Sequence, residues 1–384
     1  MANEVKDKYK GDMMKSKRFP VAALAVAATL LAGTVQAETT LRYATSLPST
    51  SSVYEASVPG FIERVNQATD GKLTIQAFPS GQLASAKGTL AALKDGTADA
   101  GLLIPIFTPS ETRNLNAISQ ILFAGSNSIA ITGATAETVL INCPACVSEM
   151  AEQNVMPLAV YATTAYYLQC ADDVPSYDSL RGRKMRIAGG GQRELVADMG
   201  ATRVVVTGPD LMESMSRGQI DCALTSLPWL NSYSLMDSVE YIVDYPVGTF
   251  RAPDAFAISK SAWEKLDTES RQAIVKEIPR LLADTVINGY LAEEDQIRDQ
   301  AKAAGITFLP ADEKFKQAVV SIQEREKEIG LADAKTRGVE DAEAVWDSHL
   351  KSLDKWERLS KEIGNDPQRF ADALWEHVYS KLNL

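Results

Sequence analysis

Histidine is almost missing from this sequence. Its 384 residues include two, His349 and His377, and both fall in the last 36. The body of the chain therefore cannot hold a Ser-His-Asp triad, a Cys-His pair or a His-ligated zinc. Basic residues are also outnumbered, 39 against 50 acidic ones, for a net charge of −11. The first 37 residues carry six of the basic and three of the acidic residues, which leaves 33 against 47, a net of −14. Such a surface repels nucleic acid and anionic lipid, so neither is expected as a partner. An acidic protein that binds an anion needs a local, buried cation, and a particular arginine should matter. A phosphate loop is lacking too. Gly189-Gly190-Gly191 follows a strand-like run, but the third glycine of G-x-G-x-x-G would fall at Glu194, and no Gly-Lys-Ser/Thr follows. What is left is a tight strand-to-helix turn that lets a ligand approach backbone N–H groups.

Apolar runs are scarce after the first 37 residues, and none there is long enough to cross a bilayer, which takes about 20 residues. Before that point the pattern is different. Lys15, Lys17 and Arg18 form a basic patch, Val21 to Leu31 is apolar, and Val35-Gln36-Ala37 has the small-x-small form of a cleavage site. This order of features reads as a signal peptide cleaved near Ala37, with export to the periplasm and a mature chain from Glu38. Residues ahead of Met13 or Met14 read as an upstream start. The roughly 345 residues that follow the leader exceed what one hydrophobic core usually serves, so two domains are expected.

Cysteine is limited to Cys143, Cys146, Cys170 and Cys222. Four cysteines in an exported chain favour disulfides and allow three pairings. We favour Cys143–Cys146, which are neighbours, and Cys170–Cys222, which flank one segment of the second domain. Cys143-Pro-Ala-Cys146 also has the C-x-x-C spacing of thiol oxidoreductases. Such a redox site opens a helix after a strand in a small unit, whereas this one follows a long apolar helix-like run.

Periodicity gives the coarse architecture. A β-rich run over 40–44 ends in the polar loop Pro48–Ser52. Helical spacing of Val58, Phe61, Ile62 and Val65 follows, then a strand over 73–78, a helix over 84–94 and a short buried strand over 100–104. The order β-α-β-α-β argues for an α/β layer with a parallel sheet, in which ligands sit beyond the carboxyl ends of strands. The pattern recurs in strands over 155–163, 183–188, 202–206 and 220–224, with helices from Glu194 and from Asp210. A strand over 256–259 precedes a helical stretch from Ser261 to Ala304, which Pro279 should kink or divide. Beyond a strand over 306–309 the chain is helical, with Trp346, Trp356, Phe370 and Trp375 as packing anchors.

Arg186 stands out because it lies in Met185-Arg186-Ile187, inside an apolar strand. A buried guanidinium needs a partner, since an unpaired buried charge costs several kcal/mol. A ligand carboxylate is its natural two-pronged partner. An internal salt bridge or an exposed position on an edge strand would satisfy the same spacing.

At this point the sequence resembles the substrate-binding proteins of TRAP (tripartite ATP-independent periplasmic) transporters, of the C4-dicarboxylate-binding type, over nearly all of the mature chain. The resemblance rests on Leu41-Arg42-Tyr43-Ala44, on Phe78-Pro79-Ser80-Gly81-Gln82-Leu83 and on Leu93-Lys94-Asp95-Gly96-Thr97-Ala98-Asp99. It continues in Leu180-Arg181-Gly182-Arg183-Lys184-Met185-Arg186, in Met215-Ser216-Arg217-Gly218-Gln219-Ile220-Asp221 and in Ile258-Ser259-Lys260 with Trp263 and Leu266. Each motif is short, and their order and spacing carry the match.

The resemblance implies two α/β domains, a hinged cleft and a long helix spanning both domains. It implies domain I at 39–163 plus 253–292 and domain II at 164–252 plus 293–384. It also implies that Arg186 pairs with the ligand's carboxylate. Two departures stand out. Tyr166 occupies the position of a second arginine found in many members, and Cys222, Thr225 and Ser226 replace the usual glycine and asparagine. The ligand's other end is thus read differently, by neutral hydroxyls, which argues against a sialic-acid-like substrate.

The function implied is capture of a small organic acid, carboxylate or sulfonate, for the membrane subunits of a TRAP permease, by a monomer that needs no cofactor and is not an enzyme. Candidate cleft residues besides Arg186 are Tyr54, Phe107, Tyr166, Thr225, Ser226, Trp229 and Phe250. An exported sensor presenting its closed form to a receptor would have the same sequence features, and a thiol oxidoreductase on Cys143 and Cys146 is the third reading.

Overall fold

The computed structural model describes residues 38–382. The leader and the cleavage expected near Ala37 lie outside the described residues. Among the described residues, eleven strands form one mixed sheet flanked by helices. Strands β1 (Thr39–Ala44), β2 (Leu73–Phe78) and β3 (Ala100–Leu103) pair in parallel, in the order β2-β1-β3. β4 is the short strand Val155–Met156, and β5 runs from Val160 to Cys170. β6 (Lys184–Arg186), β7 (Thr202–Val204) and β8 (Cys222–Ser226) make a second parallel group, in the order β8-β6-β7. β9 (Tyr241–Val243), β10 (Thr249–Ser259) and β11 (Thr307–Leu309) complete the set. The two parallel groups expected from the β-α-β pattern are present. They are bridged by β10, antiparallel to β3 and β5, and by β5, antiparallel to β8.

β5 and β10 are each 11 residues long and almost wholly buried. Their pairing slips between Thr249 and Arg251 and again between Arg251 and Asp254. Ala252, in that stretch, has φ 66°, a left-handed conformation that costs a residue with a Cβ. The distortion falls where the two parallel groups meet.

The strand expected over 155–163 is interrupted because Pro157 has no N–H to give the ladder. The next two amides turn inward instead. Leu158 and Ala159 donate to the carboxylate of Asp254 at 3.2 and 2.8 Å, and Phe256 N–H donates to it at 3.0 Å. Burial pushes the Asp254 carboxyl up to about 7 against the opposing pull of those three donors. A folded-state value above the ordinary 3.8 means that the folded protein holds a proton the unfolded chain releases. Stability from this group is full below about pH 4 and is lost as pH rises through about 7. The melting temperature should therefore fall between about pH 4 and pH 7, and more shallowly in Asp254→Asn. Equal slopes in the two proteins, read by calorimetry, would remove Asp254 from this account.

The long helical stretch differs from expectation in where it breaks. A short helix, Lys260–Lys265, ends at Leu266, and Asp267 caps a new one, Thr268–Ala283. Pro279 sits inside that helix without dividing it. From Asp284 to Leu291 the turns widen to π geometry, and α-helix resumes over Ala292–Ala303. Gly289 lets this wide segment lie against the helix Ser52–Ala68, since a Cβ there would come within 2.9 Å of Val53 Cα. Ile274, Ile278, Leu281 and Leu282 join the core around β1–β3. Ile297 and Ala301 join a separate core with Leu211, Ile220 and Leu230. The stretch thus serves two hydrophobic cores.

Helices Glu313–Thr336, Ala342–Ile363 and Pro367–His377 close the chain. Trp346, Trp356 and Phe370 are buried as anchors, Trp356 so closely on Gly133 that a Cβ there would lie 2.2 Å from the indole. Trp375 is not an anchor: it falls on the outer face of its helix and is 38% exposed.

Both expected disulfides are present, Cys143–Cys146 and Cys170–Cys222. Cys143 caps the helix Pro144–Glu152, and both residues of that pair are buried. Sulfurs so placed are shielded from a partner thiolate. Cys170 and Cys222 face each other at the end of the β5–β8 ladder.

Candidate functional site

Arg186 is the last residue of β6, beyond whose carboxyl end the chain turns through three glycines. Its side chain is folded back and only 3% of the residue is exposed. Nε donates to the carbonyl of Val206 at 3.2 Å and Nη1 to that of Leu224 at 2.9 Å. The guanidinium carbon lies 5.0 Å from the centre of the Trp229 ring, a cation–π distance. Among the described residues no carboxylate makes an ion pair with it. Two neutral carbonyls and a ring face hold a full positive charge away from water, and the remaining face has no anionic partner among the described residues.

That face opens on a slot between the strand ends. Its cavity volume is about 30 Å³. The slot is therefore narrow rather than roomy. Of the residues singled out in the sequence, Arg186, Phe107, Tyr166, Trp229 and Phe250 line it. Tyr166 stacks between Trp229 and Phe250, with ring centres 6.0 and 6.4 Å away.

Tyr54, Thr225 and Ser226 are not among the lining residues. Tyr54 is half-buried on the first helix, against the core around β1–β3. Thr225 and Ser226 are inside β8, fully buried, and their hydroxyls have no hydrogen-bond partner among the described residues. Their carbonyls accept from Gln169 Nε2 at 3.1 and 3.2 Å. They stand where the family's asparagine is expected, and β8 runs on through both.

The slot also has residues that the sequence reading missed, chiefly Tyr161, Thr163, Tyr233 and Tyr290. Tyr161 and Thr163 share one face of β5 by ordinary alternation, and Tyr166 joins them out of phase because of the slipped register there. Tyr233 packs edge-on to Trp229 at 4.9 Å, and Tyr290 projects from the π segment 6.1 Å from Tyr161. The clue available was that Tyr161 and Thr163 precede Tyr166 in a β-rich run. Nothing local marks Tyr290. Burial pushes the Tyr161, Tyr166, Tyr233 and Tyr290 hydroxyls above the ordinary tyrosine value, and for Tyr166 the nearby Arg186 charge pulls the other way. All four stay neutral near pH 7 and can donate hydrogen bonds. Among the described residues, Arg186 is the one charged side chain in the lining.

The triple glycine does something other than expected. Gly190 has φ 50°, and a Cβ there would lie 2.3 Å from the Gln120 carbonyl oxygen. Its N–H donates to Gln120 Oε1, while Ala188 N–H donates to Gln192 Oε1. The close approach is made by the protein's own chain from the helix Arg113–Ser119 side, so these N–H groups are already partnered.

Several known proteins are similar to this chain. An outer membrane transporter protein of Comamonas testosteroni is 24% identical over 86% of this chain and 96% of its own. A monocarboxylate 2-oxoacid-binding periplasmic protein of Nostoc is also 24% identical, over 91% of this chain and 97% of its own. A TRAP solute-binding protein from an unidentified marine microbe, specific for aromatic acid ligands, superposes with a TM-score of 0.73 at 20% identity. It covers 83% of this chain and 100% of its own. Residues 43–327 match the family described as bacterial extracellular solute-binding protein, family 7. The slot lies within those residues, and this chain belongs to that family of substrate-binding transport proteins.

Proposed function

We propose that the protein captures a small organic acid with a single anionic group and a flat, mostly apolar body, and delivers it to the membrane subunits of a TRAP permease from the periplasm. The observation that carries this reading is the buried Arg186 guanidinium, held by two carbonyls and no carboxylate among the described residues. A carboxylate or sulfonate supplies the missing charge in the two-pronged geometry that arginine favours. The remaining walls are aromatic rings with neutral hydroxyls, which suit a ring and one or two polar substituents. A second acid group would meet no cation, so a C4-dicarboxylate is disfavoured. The relatives' ligands, 2-oxo monocarboxylates in one and aromatic acids in another, have this character.

In this reading the lobes are 39–163 plus 253–292 and 164–252 plus 293–384. The distorted middles of β5 and β10 serve as the hinge, and a monomer suffices. Closure brings Phe107 from one lobe over Arg186 of the other. A thermal-shift screen tests the ligand class. A ligand at about 100 times its Kd stabilises by about 2.7 kcal/mol. Aromatic and 2-oxo monocarboxylates should raise the melting temperature, and succinate and malate should not. A largest shift from a dicarboxylate, or none from any monoacid or sulfonate, would reject the assignment.

A further inference from the structure

We propose that a second pocket beside the slot is an anion-collecting entrance, with Arg203 as its free cation. The inference rests on the reading that the slot takes an anion. This pocket is lined by Arg193, Arg203 and Arg337 and, among the described residues, has no acidic side chain in its walls. It shares Ile106, Phe107 and Ala188 with the slot. Val206, whose carbonyl accepts from Arg186, lines it as well. An anion resting here is one residue away from the guanidinium that would hold it.

The charges around the pocket do not cancel. Asp333 lies behind it and takes both Arg193 and Arg337, at 3.1 and 2.7 Å. Glu194 adds a second carboxylate, 3.7 Å from Arg193 Nε, so these two arginines are balanced. Arg203 is exposed on the edge strand β7 and has no ion pair or side-chain hydrogen bond among the described residues. One uncompensated positive charge, that of Arg203, thus faces the opening of a protein whose chain beyond residue 37 carries a net −14.

A second observation points to a ligand in the same place. Asn116 is 1% exposed and lines this pocket, and its Nδ2 has no acceptor among the described residues. The buried Nε of Arg193 makes no hydrogen bond either, with Glu194 Oε1 standing off at 3.7 Å. Buried donors left without partners cost free energy unless an acceptor visits them. A carboxylate in transit is such an acceptor. The field of the pocket would raise the rate of encounter without tightening the final complex, because the anion leaves it for Arg186.

The test is stopped-flow mixing with benzoate, read through Trp229 beside Arg186. At low ionic strength the association rate should fall about 3-fold in Arg203→Ala and about 10-fold in Arg203→Glu. The gap should close at about 0.5 M salt, where the screening length is only a few ångströms. Dissociation should stay within about 2-fold of the native rate. Unchanged association at low salt, or a loss that appears in dissociation instead, overturns the entrance.

Failure of benzoate to bind the native protein counts against the ligand class proposed above and leaves the entrance to be tested without it. Val205 lines the same pocket and is 65% exposed, and none of the described cysteines is free, so a bimane on Val205→Cys reports there alone. Adding Arg203→Glu should cut quenching by iodide about 2-fold or more while quenching by neutral acrylamide holds. Equal iodide quenching in both proteins overturns the proposal.

Discussion

Replacing Arg186 with alanine should weaken ligand binding about 30-fold or more, a loss of roughly 2–5 kcal/mol. The acid group of the ligand would lie among aromatic rings and neutral hydroxyls with no cation to meet it. Two carbonyls, of Val206 and Leu224, would also lose their donors, so some stability goes with the affinity. Arg186→Lys separates the two effects. Lysine keeps the charge and can reach one carbonyl, but its point charge cannot make the two-pronged contact or lie flat on Trp229. It should remain folded and still bind more weakly than the native protein. Calorimetric titration with a ligand found in the thermal-shift screen decides. Binding within about 3-fold of native in a folded Arg186→Ala would show that the site is elsewhere.

Loss of the Cys170–Cys222 bond should destabilise the protein by about 2–4 kcal/mol. The sequence separation is 52, and closing a loop of that length restricts the unfolded chain by about 4 kcal/mol in the chain-entropy account. Residual structure in the unfolded chain lowers the net value below that figure. Cys143–Cys146 closes a separation of only 3, so its removal should cost clearly less. Urea denaturation of the two Cys→Ala double variants gives the comparison. A larger loss from Cys143 and Cys146 would reverse the ranking.

How much could be read from the residues alone depended on whether the signal was local. The β-α-β order, the first helix despite Pro59, and the pairing of neighbouring cysteines are local facts, and the structure keeps them. Arg186 was conspicuous because a cation in an apolar strand has few reasons to be there. Trp229 and Phe250 were aromatic candidates for the cleft, and both line the slot. The rest of the slot depends on features that apolar periodicity does not record. A slipped register lets Tyr161 and Thr163 share the slot with Tyr166, and a π segment carries Tyr290 into it. Thr225 and Ser226 came from their match to the family's asparagine, but alternation and strand length decide which way a side chain points. The short gap between Pro157 and Val160 hid a carboxylate 96 residues away that takes the place of a strand neighbour.

The wide turns between Asp284 and Leu291 bear on which insertions and deletions this chain can tolerate. Each π turn holds roughly one residue more than an α turn, so the azimuth of every later side chain is reset relative to the residues before it. Packing around Leu281 does not fix where Ile297 points; the count of residues between Leu282 and Ile297 does. Removing one residue from the segment would turn the following helix by about 100° and carry Ile297 off its core. A residue lost from an ordinary surface loop has no such reach. Length, as much as composition, is therefore under constraint in this stretch, and natural variants of it should exchange residues far more readily than they gain or lose them.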